Sequence, residues 1–407
     1  MKPRALAGTL SLVVFAATCI VLLGGAAPHD ASELAFDPGG HTRIPFDLSR
    51  QHIWVRGTVN GSDSVWIVID TGASSTVMDE GLARSLKMKL GAKHEARGSG
   101  GTQVSHTVEN VTVQLPGLSI RKARMAAIDL TSINAQAGRP MQVIVGYDLF
   151  ASCVVRFDYA GGVMDVWDKD HAPRDSSGTT VPMTLNHNLP YIEGTVVVPG
   201  RAPLRGRFVI DTGSSAALIL DPEAAQRESL FTAFPRTLMA ISRGVGGEVR
   251  NRVGRATSFE IGNLAFASPI VMLPDSIGGR ISEPGSLGNI GAQVLGRCRV
   301  SFDYANRKVR FEKGAGFDKP FEADMSGAAL SRSGAEYVVR AVQPDSPASE
   351  SGLRVGDKVA SVDGQPTAAM DSITVRLLLQ REGETVTLGV RRGSDSMELR
   401  LKLRRLI

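Results

Sequence analysis

The sequence predicts a mainly β protein with two similar lobes and a smaller third domain that contains strands and helices. A hydrophobic strand ending in Asp-Thr-Gly occurs twice, 141 residues apart, in a chain of 407 residues. The segments around each copy also recur, and they alternate apolar and polar residues as half-buried strands do. After about residue 320 the duplication stops and a different pattern begins.

The N-terminus has the layout of a secretory signal peptide. Met1-Lys2-Pro3-Arg4 is basic and precedes an apolar stretch from about Leu6 to Leu23, which small residues follow. We expect residues 1–27 to be the signal and the protein to be exported to the periplasm or cell envelope. The apolar stretch also has the length of an uncleaved anchor, so membrane association through the N-terminus is the alternative.

Composition and charge favour packed domains over nucleic-acid binding. Apolar residues make up 43% of the chain, which is ample for hydrophobic cores. The formal net charge is +5, from 46 Lys and Arg against 41 Asp and Glu, and no dense basic tract stands out in the body of the chain. We therefore expect no nucleic-acid partner.

The two Asp-Thr-Gly motifs are candidates for one shared catalytic site. Residues 66–75 read Trp-Ile-Val-Ile-Asp-Thr-Gly-Ala-Ser-Ser, and residues 207–215 read Arg-Phe-Val-Ile-Asp-Thr-Gly-Ser-Ser. A duplicated fold can bring Asp70 and Asp211 together across a pseudo-two-fold axis. Two such close carboxylates do not both ionise easily, so one holds a proton while the other acts as a base. This arrangement suits water-mediated hydrolysis of a peptide bond.

The duplication extends over whole lobes. A single Asp-Thr-Gly after a buried strand is an ordinary turn, but independent turns do not usually copy their flanks. Residues 146–160 align without a gap to residues 291–305, with a glycine, a cysteine and Phe-Asp-Tyr-Ala in register. We expect the two lobes at about residues 45–172 and 178–315.

Cys153 and Cys298 occupy equivalent positions in the two lobes and are the cysteines that remain without the signal. If their strands lie near the axis, the sulfurs could form a disulfide, which requires Cα atoms within about 7 Å. The alternative is two buried thiols that behave as small apolar residues. The sequence leaves both open.

Residues 321–407 predict a small separate domain. Its strands are expected at 335–342, within 354–364, at 385–391 and at 397–403, with a short capped helix within 345–353. A second helix is expected from Ser372 to Gln380, where the apolar residues can form one face.

With these motifs in place, the two lobes resemble the aspartic proteases of the pepsin and retropepsin clan, in a single-chain, two-lobed bacterial form. The resemblance rests on the motifs at Asp70 and Asp211 and on a later apolar pair plus Gly in each lobe, Ile144-Val145-Gly146 and Asn289-Ile290-Gly291. It implies two β-barrel lobes and a catalytic dyad, Asp70 and Asp211, that activates a water for endopeptidase chemistry. It implies no metal and no organic cofactor.

The resemblance also assigns supporting roles next to the dyad. Thr71 and Thr212 would hydrogen-bond across the lobes and hold the loops rigid. Gly72 and Gly213 would allow the backbones to approach closely.

The two copies differ at the position after the glycine. Ser214 offers a hydroxyl to its carboxylate, whereas Ala73 offers none. Because a hydrogen bond to the charged form favours ionisation, we expect Asp211 to ionise before Asp70.

Gly-rich segments follow both motifs and predict a hairpin in each lobe. Gly98, Gly100 and Gly101 are the flap candidates, and residues 244–247 are their counterpart. The N-lobe segment lacks the tyrosine of a pepsin flap and is more similar to the Gly-tipped flap of retroviral proteases.

Residues 321–407 resemble a PDZ domain of the bacterial protease type. The resemblance rests on Ser346-Pro347-Ala348, Gly352-Leu353, Gly356-Asp357 and Val362-Asp363-Gly364. PDZ domains bind extended peptides by strand addition beside a helix. The candidate groove residues are Gly327, Ala328, Ala329 and Leu330, and the alternative is a domain that docks on the lobes without a ligand.

The leading hypothesis is an exported aspartic endopeptidase whose PDZ domain recruits or senses protein substrates. The alternative is a catalytically inactive peptide-binding or scaffold protein that keeps the protease fold. Both Asp-Thr-Gly triplets are intact, which favours the enzyme.

Overall fold

The computed structural model describes residues 13–15, 21–23, 32–48, 51–137, 139–173, 177–275, 285–370 and 372–407. Strands form 50% of the described residues and helices 11%, so the prediction of a mainly β protein is confirmed. Two short strands, Val13–Phe15 and Val21–Leu23, fall within the predicted signal. The predicted cleavage site after Ala27 lies outside the described residues.

No helix in the described part of the chain is long and apolar enough to cross a membrane.

The N-lobe sheet places the strand before Asp70 at its centre. Val65–Ile69 is antiparallel to Ile53–Val59 and parallel to Val143–Val145. Four of its five residues are buried, as expected for a run of β-branched and aromatic side chains. The strands of this lobe are Glu33–Phe36, His41–Pro45, Ile53–Val59, Val65–Ile69, Val77–Asp79, Lys93–Gly98, Gly101–Leu115, Leu118–Ile128, Val143–Val145, Cys153–Asp158 and Val163–Asp168, and its helices are Glu80–Ser85, Thr131–Ala137 and Tyr147–Phe150.

The C-lobe repeats this arrangement. Leu204–Ile210, which precedes Asp211, is antiparallel to Leu189–Val197 and parallel to Gly288–Ile290. The strands of this lobe are Thr179–Pro182, Thr184–Asn186, Leu189–Val197, Leu204–Ile210, Leu218–Leu220, Leu238–Gly244, Gly247–Arg255, Ser258–Ile261, Leu264–Ala267, Ile270–Pro274, Gly288–Ile290, Cys298–Asp303 and Lys308–Lys313, and its helices are Pro222–Arg227, Ala292–Leu295 and the 3₁₀ turn Leu230–Thr232.

A six-stranded sheet joins the two lobes. At its centre, Cys153–Asp158 of the N-lobe pairs antiparallel with Cys298–Asp303 of the C-lobe. Phe157 and Phe302 are fully buried here, with their ring centroids 5.9 Å apart. The lobes therefore share a hydrophobic core beneath the Asp-Thr-Gly loops.

The C-terminal domain has its own six-stranded sheet and its own hydrophobic core. Its first helix, Pro347–Glu350, begins at Ser346 in a reciprocal capping box with Ser349. Its second helix ends at Leu378, two residues before the predicted end. The strands are Ala328–Ser333, Glu336–Val342, Lys358–Val362, Gln365–Pro366, Thr385–Arg392 and Asp395–Lys402, and the helices are Pro347–Glu350, Ser372–Leu378 and the 3₁₀ turn Thr367–Ala369.

The end of the chain returns to the C-lobe. Leu406 and Ile407 pack against the hydrophobic core of the lobes. Arg255, the last residue of a C-lobe strand, donates to the carbonyl of Phe321 at 2.8 Å and to that of Ile407 at 3.3 Å. The third domain is thus fixed to the C-lobe through both of its ends.

Candidate active site

Each motif aspartate lies directly after an interior strand of its lobe's sheet. The backbone N–H of Asp70 donates to the carbonyl of Val145 at 2.9 Å, and that of Asp211 donates to Ile290 at 3.0 Å. These bonds continue the parallel pairing between the motif strand and the later apolar strand. The same local fold therefore presents one carboxylate from each lobe.

The two carboxylates face each other across the lobe boundary. A Cβ placed on Gly213 would lie 2.3 Å from Asp70 Oδ2, and one on Gly72 would lie 2.5 Å from Asp211 Cγ. Real Cβ atoms do not approach other atoms so closely, so each glycine lets its backbone pack on the opposite carboxylate. Within its own loop, each glycine N–H donates to its aspartate Oδ1, at 2.7 Å in the N-lobe and 2.8 Å in the C-lobe.

Two threonines connect the loops by reciprocal hydrogen bonds. The Oγ1 of Thr71 accepts from the N–H of Thr212 and that of Thr212 accepts from Thr71, both at 3.0 Å. Each hydroxyl also donates across the boundary, Thr71 to Ile210 at 2.8 Å and Thr212 to Ile69 at 3.0 Å. Four hydrogen bonds therefore fix one Asp-Thr-Gly loop against the other.

Burial dominates the electrostatics of the pair. Asp70 and Asp211 are both fully buried. Burial raises the pKa of Asp70 well above its usual range, and the negative charge of Asp211 raises it further. Burial raises the pKa of Asp211 to about 6, opposed most strongly by a hydrogen bond from Asn289. The pair can therefore hold one proton and one negative charge above about pH 6, where Asp211 has ionised and Asp70 has not.

The difference between the two carboxylates comes from Asn289. Its Nδ2 donates to Asp211 Oδ2 at 2.7 Å. The Ser214 hydroxyl, which the sequence suggested for this role, instead accepts from the N–H of Ala216 at 3.5 Å. The sequence analysis placed Asn289 in an apolar pair and gave it no role. The signal that could have identified it is its polar amide, because the N-lobe has Ile144 at the equivalent position.

Comparison with known families agrees with this geometry. The lobes match the aspartyl protease family over residues 55–149 and 194–293, and the third domain matches the PDZ domain family over residues 338–392. The chain carries a retropepsin-like aspartyl protease domain and a C-terminal PDZ domain.

One curated relative matches this chain over a small part of both proteins. It is a probable CtpA-like serine protease from Staphylococcus haemolyticus (strain JCSC1435), 32% identical over 92 residues. The match covers 21% of this chain and 18% of the relative. The chain thus spans less than a fifth of that protein, whose name describes a serine protease.

The flap candidates lie at the tip of an N-lobe hairpin, which meets the tip of the matching C-lobe hairpin. Gly98 and Gly101 end and begin the two strands of the N-lobe hairpin. The N–H of Gly100 donates to the carbonyl of Val245 at 2.8 Å. A Cβ on Gly98 would lie 2.4 Å from the Val245 Cβ. Val245 was absent from the predicted flap residues, although it stands in the duplicated Gly-rich segment.

Of the two alternatives left open for the cysteines, the structure has the free thiols. Cys153 and Cys298 are buried free thiols, and burial raises the pKa of each to about 12. The paired stretch between their strands runs from Val154 opposite Asp303 to Asp158 opposite Arg299. The cysteines flank opposite ends of that stretch, about six residues or roughly 20 Å apart at the rise of a β-strand. The antiparallel register therefore separates the sulfurs.

The candidate PDZ groove lies on an edge strand. Gly327, with φ +72°, precedes the strand Ala328–Ser333, which contains Ala329 and Leu330 and is at the end of the strand order. Next to this loop, Met325 donates its N–H to Leu379, just after the helix Ser372–Leu378. The loop and the C-lobe residues Leu238 and Met239 line one small shared space. Three of the four groove candidates, Gly327, Ala328 and Ala329, therefore lie beside the first strand of the C-lobe hairpin.

Proposed function

We propose that the chain is an aspartic endopeptidase that uses Asp70 and Asp211 to activate a water. The observation that supports this most directly is the pair of buried carboxylates that face each other across the lobe boundary, each contacted by the opposite glycine. Buried, coupled carboxylates of this kind separate into an acid and a base.

In the proposed reaction, ionised Asp211 removes a proton from a water as its oxygen attacks the carbonyl carbon of the peptide. Protonated Asp70 donates its proton to the carbonyl oxygen and completes a neutral tetrahedral diol. Asp211 then gives its proton to the leaving nitrogen, while Asp70 recovers one as the carbonyl re-forms and the C–N bond breaks. Each cycle consumes one water and returns the dyad to its starting protonation.

The dyad is tested with Asp70→Asn and Asp211→Asn, each assayed for cleavage of denatured casein. Both variants should lose at least about a thousandfold in kcat/KM, because the water loses either its base or its acid. Asp170→Asn is the matched control, since the Asp170 side chain is exposed and its ion pair with Lys169 spans 3.6 Å. Undiminished cleavage by either dyad variant would falsify this mechanism. A wild-type chain that binds casein without cleaving it would favour the scaffold alternative.

We further propose export to the periplasm or cell envelope, on the basis of the basic and apolar N-terminus. N-terminal sequencing of protein from fractionated cells tests this step. A start at residue 28 in an envelope fraction supports cleavage, an intact N-terminus in the membrane fraction supports an anchor, and recovery in the cytoplasm contradicts export.

The PDZ domain is proposed to recruit or sense an extended segment of the protein substrate. Its edge strand and adjacent helix provide the elements for strand addition. Full-length Asp70→Asn protein can be titrated with candidate peptides, and the same affinity after Leu330→Arg would contradict binding in this groove.

A further inference from the structure

Asn289 lies at a strand position where the two lobes differ in chemical character. It is fully buried in Gly288–Ile290, opposite Val209 on one side and Ile219 on the other. In the gapless alignment of the two lobes, Asn289 corresponds to Ile144. Ile144 is also fully buried and has Val68 and Val77 as strand neighbours. One lobe thus has an amide where the other has a hydrocarbon side chain.

The amide gives Asp211 one hydrogen-bond donor that Asp70 does not have. Asp211 accepts from Gly213 at Oδ1 and from Asn289 at Oδ2, at 2.8 and 2.7 Å. Asp70 accepts from Gly72 at Oδ1, and no side-chain amide among the described residues reaches its buried Oδ2. The N–H of Gly213 and the carboxyl of Asp211 also hydrogen-bond to Asp70, so the amide of Asn289 is what the two carboxylates do not share. An N–H donor stabilises an ionised carboxylate oxygen and therefore favours the charge on Asp211.

The amide orientation follows from the charge that it contacts. With its carbonyl oxygen turned toward an ionised Asp211, Asn289 would place two acceptors against each other in a buried site. The nitrogen must therefore face the carboxylate whenever Asp211 is charged, and this is the orientation observed.

We propose that Asn289 is a positioning residue that holds the negative charge of the dyad on Asp211, and so assigns Asp211 as the base and Asp70 as the acid. This inference rests on the proposed aspartic-protease function. Asn289 acts through Asp211, and no contact with the substrate is assigned to it.

Few other titratable groups act on this site. Asp70 faces Asp211 from the N-lobe loop, and Tyr159 and Tyr304 act on the pair from the inter-lobe sheet. Burial raises the pKa of both tyrosines above the usual value, so they stay neutral in acid. The strand neighbours of Asn289 are apolar and contribute no charge.

The sign of the effect follows from the role of the amide. Activity on the acid side rises as Asp211 loses its proton. Removing the Asn289 donor disfavours the charged form and raises the pKa of the base, so the acid limb moves to higher pH. We expect a shift of about one unit, which is a tenfold loss of kcat/KM at a pH below both limbs.

The test compares Asn289→Ile, which copies the N-lobe residue, with the exchanged pair Asn289→Ile/Ile144→Asn. The single variant should show the acid limb of kcat/KM for casein shifted to higher pH. The exchanged pair should return the limb toward its wild-type position, with the donor now supplied from the N-lobe. Asn289→Ala removes the donor without adding bulk and should reproduce the shift if Ile distorts the strand.

A folded single variant with an unmoved acid limb would overturn the role of Asn289 while leaving the protease function intact. A second readout does not depend on turnover, namely infrared titration of the carboxyl groups in the full-length protein. There the first ionisation of the dyad should move to higher pH in Asn289→Ile. An unmoved ionisation contradicts the proposal even if the wild-type chain cleaves no substrate tested.

Discussion

At the scale of single residues, the candidate site depends on groups that are small, buried and matched across the lobes. Gly72 and Gly213 give each carboxylate a neighbour without a side chain, and the two threonines replace backbone partners that the turns leave unpaired. Each glycine leaves space for the carboxylate of the opposite lobe, and each threonine accepts a hydrogen bond from a backbone N–H of the opposite lobe. Their removal should therefore affect stability as well as chemistry.

Thr212→Val tests the contribution of the reciprocal threonine bonds. The variant keeps the side-chain shape but leaves the carbonyl of Ile69 and the N–H of Thr71 without their hydroxyl partner. Since a buried unsatisfied polar group costs about 1 to 3 kcal/mol, we expect a loss of about 2 to 4 kcal/mol in the free energy of unfolding. Urea denaturation measures it.

The control for that measurement is Thr58→Val, because the Thr58 hydroxyl donates to Gln114 at 2.9 Å in an exposed contact. Its effect should stay within about 0.5 kcal/mol. Equal losses in the two variants would show that the cross-lobe bonds add nothing specific.

At the scale of elements, the N-lobe has a buried ion pair behind its Asp-Thr-Gly loop. Lys122 Nζ donates to Asp148 Oδ1 at 2.7 Å and to Ser75 Oγ at 3.0 Å, while Asp148 Oδ2 accepts from the N–H of Thr76 at 2.6 Å. The pair ties a long strand and the helix Tyr147–Phe150 to the residues that follow Asp70. In the C-lobe the position aligned with Asp148 is occupied by an uncharged glutamine.

Lys122→Met should destabilise the N-lobe by about 3 to 5 kcal/mol at pH 7, because it leaves a buried carboxylate without its partner. Burial alone would raise the pKa of Asp148, but the charge and hydrogen bonds of Lys122 keep it below its usual range. A lowered pKa contributes stability above the unfolded value of about 3.9 that is lost as the pH falls further. The difference in the free energy of unfolding between the variant and the wild type should therefore become smaller below about pH 4.

Chemical denaturation at pH 7 and pH 3 checks both parts of this expectation. Lys169→Met is the control, since Lys169 and Asp170 form an exposed pair, and it should change stability by no more than about 0.5 kcal/mol. A difference that is the same at both pH values would contradict the assigned role of Asp148.

The sequence predicted the strands and hairpins better than it predicted the contacts between residues that are far apart in the chain. Alternating patterns and copied flanks located both motif strands and the Gly-rich hairpins, because these features depend on local periodicity and turn chemistry. Asn289 was missed because its role depends on a contact with Asp211, 78 residues earlier. The separation of Cys153 and Cys298 depends on strand register, which the spacing of the two cysteines does not reveal.

At the scale of the whole molecule, the PDZ domain is held against the C-lobe at the base of the hairpin that meets the N-lobe flap. Arg255 ends the second strand of that hairpin and binds the carbonyls of Phe321 and Ile407. Leu238, at the start of the hairpin, lies beside the PDZ loop. The PDZ domain therefore contacts the same hairpin whose tip meets the N-lobe flap candidates.

Arg255→Met should loosen this attachment while both units stay folded. Hydrogen bonds from a charged donor contribute about 1.5 to 3 kcal/mol each, so local opening should rise by at least about tenfold. Faster amide hydrogen exchange in residues 317–324 and 403–407 would report the change. Arg205→Met is the control, because Arg205 is exposed and its pair with Glu193 spans 3.5 Å. Unchanged exchange in the Arg255 variant would contradict the assigned contact.

The covalent joining of the two lobes has a consequence for Asn289. In a protease built from two identical chains, a substitution beside one aspartate is necessarily repeated beside the other, so a donor could not favour one carboxylate. In a single chain each lobe has its own sequence, so one lobe can have Asn289 at the position where the other has Ile144. The sequence itself can then decide which carboxylate is the base and which is the acid, before any substrate binds.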